Sequence, residues 1–143
     1  MTDRREFLTA SLAGIAASMI AAHEASGAPV AKTIVQKDTP KINLDGWQMT
    51  ASEVTYPPGE SSGKHRHPGF VIGYVLEGQY RFAVNGEPEK VLAPGEMFFE
   101  SFETAGDVHA VSGNASQTQP AKILAIVFTK KGDPTTIPVP GPQ

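Results

Sequence analysis

Residues Gly59–Gly86 read GESSGKHRHPGFVIGYVLEGQYRFAVNG. The run Gly69–Gly78 is continuously apolar up to Glu77, as a strand buried on both faces would be. Glu77-Gly78 marks a turn. Gln79–Val84 then alternates, with Tyr80, Phe82 and Val84 on one face. Asn85-Gly86 is the dipeptide of a type I′ hairpin, because both of its residues tolerate positive φ. The chain is therefore expected to fold back there onto Glu89–Leu92.

The same grammar continues on both sides. Upstream, Lys32–Gln36 is a short strand candidate, and Gly46–Tyr56 alternates for much of its length until Pro57-Pro58-Gly59 stops it. Downstream, Ala93-Pro94-Gly95-Glu96 turns into MFFE (Met97–Glu100). After a polar stretch come DVHAV (Asp107–Val111), the polar loop SGNASQTQP and the apolar AKILAIVFT (Ala121–Thr129). The tail is proline-rich and expected to be extended. No segment past residue 28 shows a helical period. Short strands at this spacing imply an all-β sandwich or barrel in one domain. The 143 residues carry a net charge of −3 without a basic patch, which argues against nucleic acid as a partner. With no cysteine, disulfides, thiolate metal sites and a cysteine nucleophile are excluded.

His65 and His67 stand two residues apart, a spacing that projects both from one face of a strand while Arg66 points away. Alone, this pair fits a metal clamp or two solvated loop side chains. His109, on a separate expected strand, changes the balance. Beyond His23, near the N-terminus, these are the chain's only histidines. Three imidazoles on a rigid β scaffold would form an N₃ set with open positions for water or substrate. Such a set suits Fe²⁺, Mn²⁺, Zn²⁺, Ni²⁺ or Cu²⁺.

These residues resemble the two motifs of a small single-domain cupin of the RmlC-like jelly-roll superfamily. Gly59, His65, His67 and Gly78 match the first motif, and Gly106, His109 and Asn114 the second, with Asn114 one residue late. LAPGE (Leu92–Glu96) matches the Pro-Gly turn, and the likeness covers about Tyr56–Thr129. It implies a jelly-roll β-barrel, or double-stranded β-helix, with a core of about residues 44–130 and a tail at 132–143. One departure stands out. The family's glutamate ligand falls near position 71, where this chain has Val71. A three-histidine site with one more open position is then expected, unless Glu100 or Glu103 swings in. If Val71 and Gly73 face inwards, space opens beside the metal. Tyr80, Phe82 and Phe99 are the other pocket-wall candidates, and Asn114 and Glu100 are candidates to orient the imidazoles. Trp47 is read as edge packing or as part of a dimer interface, since the resemblance implies a homodimer.

The N-terminus reads as an address. Arg4-Arg5, an apolar run from Leu8 to about Ala22 and small residues to Ala28 are the parts of a cleavable signal peptide. Arg-Arg-x-Phe-Leu resembles a twin-arginine (Tat) export signal. Residues 1–28 are thus expected to form a signal helix and 29–143 the exported domain, periplasmic or secreted, without a stable membrane span. Export of an already folded, metal-loaded protein would favour Fe²⁺ or Mn²⁺.

The expected function is that of a metal-dependent cupin acting on a small oxygen-rich organic molecule. Iron would imply dioxygenase-type chemistry, and manganese or zinc a Lewis-acid isomerase or lyase. The alternative is a non-catalytic periplasmic module that binds or senses a small ligand, a reading favoured by the missing glutamate.

Overall fold

The motif strand sits at the centre of a sheet. In a computed structural model of the chain, residues 29–39, 41–104 and 106–141 are described; the expected signal helix lies outside them. Contacts divide the chain into Met1–Ala31 and Lys32–Gln143, and the fold is that of the second unit. β4 (Phe70–Glu77) pairs on one side with β9 (Ala121–Lys130) and on the other with β7 (Met97–Glu100). β1 (Trp47–Tyr56) lines the free edge of β9, giving the order β1-β9-β4-β7. The inner row of β4, Val71, Gly73 and Val75, is buried, whereas Ile72, Tyr74 and Leu76 on the outer row are only half-buried, so one face of the run is more open than its composition implies.

The second sheet has the order β10-β3-β8-β5-β6, built from β3 (His65–Arg66), β5 (Tyr80–Val84), β6 (Lys90–Leu92), β8 (Val108–Asn114) and β10 (Ile137–Pro138). β2 (Ser61–Ser62) adds to β8. Every pairing in both sheets is antiparallel. The core lies between the sheets: Tyr56, Val71, Val75, Phe98, Ile123 and Val127 from the first meet Tyr80, Phe82, Val84 and Leu92 from the second. This is an all-β jelly roll, with no helix among the described residues.

The expected hairpin is present. Asn85 (φ 49°) and Gly86 (φ 76°) are both left-handed, and Glu87 N–H donates to Val84 O at 2.8 Å. Two expectations need correction. Lys32–Gln36 forms no strand and stays exposed, because no sheet edge pairs with it. The stretch Ser112–Asn114 is not loop but the end of β8, where Ser112 and Asn114 face Phe82 and Tyr80.

A bulge in β8 sets the direction of His109. Ala83 pairs with Val111, but Val84 pairs with His109, so Ala110 is the extra residue. On a regular strand His109 and Ser112 would face opposite ways. The bulge turns both inwards, and both are buried.

Gly73 lies on the inner row, where a Cβ would collide with the ring of Phe98. Its lack of a side chain therefore admits Phe98 rather than leaving space for a ligand. Replacing Gly73 by Ala is expected to cost about 2 kcal/mol, the usual size of an overpacking penalty. Thermal denaturation against the parent chain measures it.

Candidate metal centre

His65 on β3 is the cross-strand partner of His109 on β8. Their ring centroids lie 4.9 Å apart, and His67 stands edge-on to His65 at 5.1 Å. Glu100 arrives from the opposite sheet, at the end of β7. One donor atom from each of His65, His67, Glu100 and His109 falls within a group no wider than 4.8 Å. His67, Glu100 and His109 are buried, with relative exposures of 6, 2 and 2%. His65 is half-buried and nearest the opening.

The structure thus brings the three sequence-predicted histidines together and adds a carboxylate to them. Of the two carboxylates that could join the three-histidine site, the structure brings in Glu100. Glu100 is the cross-strand partner of Val71, the residue at the position where a glutamate was missing. Paired residues on neighbouring antiparallel strands project from the same face with Cβ atoms about 5 Å apart. A glutamate moved sideways by one strand can therefore reach the same region. Glu103 does not join it, being exposed and paired with Lys37 at 2.7 Å. A signal for Glu100 does exist in MFFE, where it shares strand parity with Phe98, a core aromatic. The sequence alone could not say which parity faced inwards.

Two of the rings have their tautomers set by backbone carbonyls, which can only accept. His65 Nδ1–H donates to Gly63 O at 2.8 Å, and His67 Nδ1–H donates to Thr135 O. Each Nε2 is left with its lone pair, the form in which imidazole binds a metal. His109 Nδ1 lies 3.0 Å from Glu100 Oε1, and His67 Nε2 lies 3.4 Å from Glu100 Oε2. Yet His109 Nδ1 and Glu100 Oε2 are buried without an aligned hydrogen-bond partner. Buried polar atoms are rarely left so. Three imidazoles and a carboxylate that converge and still leave two buried polar atoms without an aligned partner are what a cation site offers, so this residue set fits a divalent ion.

Burial raises the Glu100 pKa, but the contacts and charges of His109 and His67 outweigh it and hold the carboxyl at about 2. Burial lowers the pKa of His65 and is not offset by its neighbours. Burial also acts to lower that of His67, but the bond to Glu100, its charge and the Thr135 carbonyl together raise it. Beside His109 runs a chain of hydroxyls: Tyr56 Oη and Tyr80 Oη each lie 2.7 Å from Ser112 Oγ, and Tyr80 Oη lies 3.4 Å from His109 Nε2. Burial pushes the Tyr80 phenol well above its ordinary value, so it stays protonated.

A cavity of about 420 Å³ opens over the cluster. Val54, Val71, Phe98, Ile123 and Val127 give it apolar walls, and Lys64 stands at its border. Of the sequence-predicted pocket residues, Val71 and Tyr80 border it. Phe82 packs against His109 with ring centroids 5.0 Å apart and borders a different cavity. Phe99 lies on the opposite side of β7 from Phe98, against Phe102, and borders that second cavity too. Asn114 does not orient an imidazole. Its buried amide donates to the carbonyls of Tyr56, Pro57 and Gln119 and accepts from Ser116 N–H, pinning the ends of β1 and β9.

Several solved structures are similar in fold. A predicted oxalate decarboxylase from Thermotoga maritima is 28% identical, over 57% of this chain and 66% of that one, with a TM-score of 0.48. The DMSP lyase DddQ from Ruegeria pomeroyi is 24% identical, over 63% and 42%, with a TM-score of 0.51. A recombinant oxalate oxidase in complex with glycolate is 19% identical, over 80% and 66%, with a TM-score of 0.51. The chain spans less than two thirds of the length of each. No curated protein matches it. The model of the cupin domain matches residues 52–127, which run from β1 into β9 and include all four clustered side chains. By that match, and by the jelly roll that carries it, the chain belongs to the cupin family.

Proposed function

We propose that this chain is an exported, metal-dependent cupin enzyme in which His65, His67, Glu100 and His109 hold one divalent ion. One observation carries the reading. Buried donor atoms from strands of opposite sheets converge, and two of them lack any other partner. A donor set of imidazoles and one carboxylate suits Fe²⁺ or Mn²⁺, with Zn²⁺, Ni²⁺ and Cu²⁺ as further candidates. When bound there, iron would supply dioxygenase-type chemistry, and manganese or zinc Lewis acidity for isomerase or lyase steps.

The chain's own residues supply the rest. The carbonyls of Gly63 and Thr135 orient His65 and His67. Glu100 contributes the negative charge that the Val71 position lacks. The apolar walls exclude water, and Lys64 supplies a positive charge for an anionic group on a small, oxygen-bearing substrate. Tyr80 holds its proton and can donate a hydrogen bond but not act as a base. The alternative, a module that binds or senses a small ligand without turnover, drew on the absent glutamate and on the lack of a second catalytic motif; Glu100 answers the first of these. Export through the twin-arginine route and a periplasmic location belong to the same reading. So does a homodimer, which is supported by apolar cross-strand rows such as Ala51–Ile126–Ile72–Phe99 on the outer face of the four-stranded sheet.

Protein purified anaerobically from the periplasm tests the proposal. Elemental analysis should find one divalent ion per chain. An O₂-uptake and product screen against diketones, phenolics and thiols should give turnover that a chelator removes. Turnover that persists in metal-free protein would end this reading.

A further inference from the structure

The cupin match ends at residue 127 and β9 ends at Lys130, but the chain does not leave the site there. It turns, with Asp133 N–H donating to Lys130 O at 3.0 Å, and then runs back along β3. Three sets of contacts fasten it. Thr135 O accepts the Nδ1–H of His67. Ile137 and Pro138 pair with Arg66 and His65. Val139 N–H donates to Lys64 O at 3.0 Å. Thr135, Thr136 and Pro138 also border the cavity. Pro134, Pro138 and Pro140 restrict the segment to extended shapes before it docks, which lowers the entropy cost of docking.

We propose that residues 131–141 are a strap that completes the metal centre. The Thr135 carbonyl makes it a positioning element for His67, selecting the tautomer whose Nε2 faces the other donors. The same segment closes one side of the cavity. The inference rests on the proposed function in that it takes His67 as a metal ligand. His65 provides an internal comparison, since its Nδ1–H is held by Gly63 O of its own loop and not by a group of the strap, although its backbone pairs with Pro138.

The test compares the full chain with a chain ending at Lys131 and with Val139→Pro, which removes the N–H donor to Lys64 O and leaves the rest of the strap in place. Two readouts are needed. Long-range ¹H–¹⁵N spectra of the metal-free proteins, recorded above the raised pKa of His67 so that its ring is neutral, report the tautomer of each histidine. Chelator competition reports Co²⁺ affinity. In the full chain both His65 and His67 should be Nδ1–H tautomers. In the truncated chain His67 alone should lose that signature, and the Kd for Co²⁺ should rise about 10- to 100-fold, the usual effect of losing a partner that orients a ligand. Val139→Pro should move both readouts the same way by a smaller factor. A folded truncated chain that keeps the His67 tautomer, with a Kd within about twofold of the full chain, overturns the proposal. If truncation prevents folding, an unchanged Val139→Pro variant overturns it equally. A full chain that binds no Co²⁺ but loses the His67 signature on truncation would refute the metal reading and leave the strap's hold on His67 standing.

Discussion

Glu100→Gln should lower the affinity of the purified protein for Mn²⁺ or Co²⁺ by at least about 100-fold, beyond what loss of an orienting partner costs. Gln keeps the size of the side chain and removes its charge, so packing against Phe98 and Val71 is preserved. What is lost is the one anionic donor of the cluster, an atom that no hydrogen bond otherwise satisfies. His109→Ala should have an effect at least as large, because it removes the nitrogen nearest that carboxylate. Glu103→Gln is the control. Glu103 lies a few residues on but is exposed and bound to Lys37, and its replacement should leave metal affinity unchanged. Chelator competition on the three variants measures all of this. Equal affinities for Glu100→Gln and Glu103→Gln would exclude Glu100 from the centre.

Glu100 and His67 together should favour the metal-free fold most in mildly acidic solution, between about pH 4.5 and 6.5, the ordinary values of the two groups, while His65, whose pKa burial lowers, opposes them below 6.5. The Glu100 carboxyl has a folded pKa of about 2 against an ordinary 4.5. A carboxylate depressed in this way stabilises the fold fully above its unfolded value. The stabilisation disappears as pH falls through the folded one. The difference is worth about 3 kcal/mol, lost between about pH 4.5 and 2. His67 works in the other direction. Its folded pKa is raised from 6.5, so its contribution is complete below 6.5 and is lost as pH rises through the higher value. Metal loading should move the optimum upwards, because the ion competes with the proton on His67. Urea denaturation across pH, with and without metal, gives both curves. In Glu100→Gln the acid limb should flatten. An acid limb that survives the substitution would assign it to other carboxylates.

Much of the frame was legible in the chain itself. Asn85-Gly86 specified its hairpin because a type I′ turn needs two residues that accept positive φ, and few pairs do. The alternation of Tyr80, Phe82 and Val84 gave their shared face. His65 and His67 announced themselves by spacing, since residues two apart in extended chain can point the same way, although His67 stands just past the end of β3. Lys32–Gln36 misled because a β-rich composition makes a strand only where an edge is free to pair with it.

Glu100, the bulge at Ala110 and the strap were decided only by the tertiary structure. Each depends on register between segments distant in sequence: Val71 opposite Glu100, Val84 opposite His109, Pro138 opposite His65. Local periodicity fixes which residues of one strand share a face. It cannot fix which face meets the core, where a ladder skips a residue, or which strand lies alongside. Those are settled when the two sheets bury their apolar rows against each other, and that step replaced the glutamate absent at Val71 with one from the neighbouring strand.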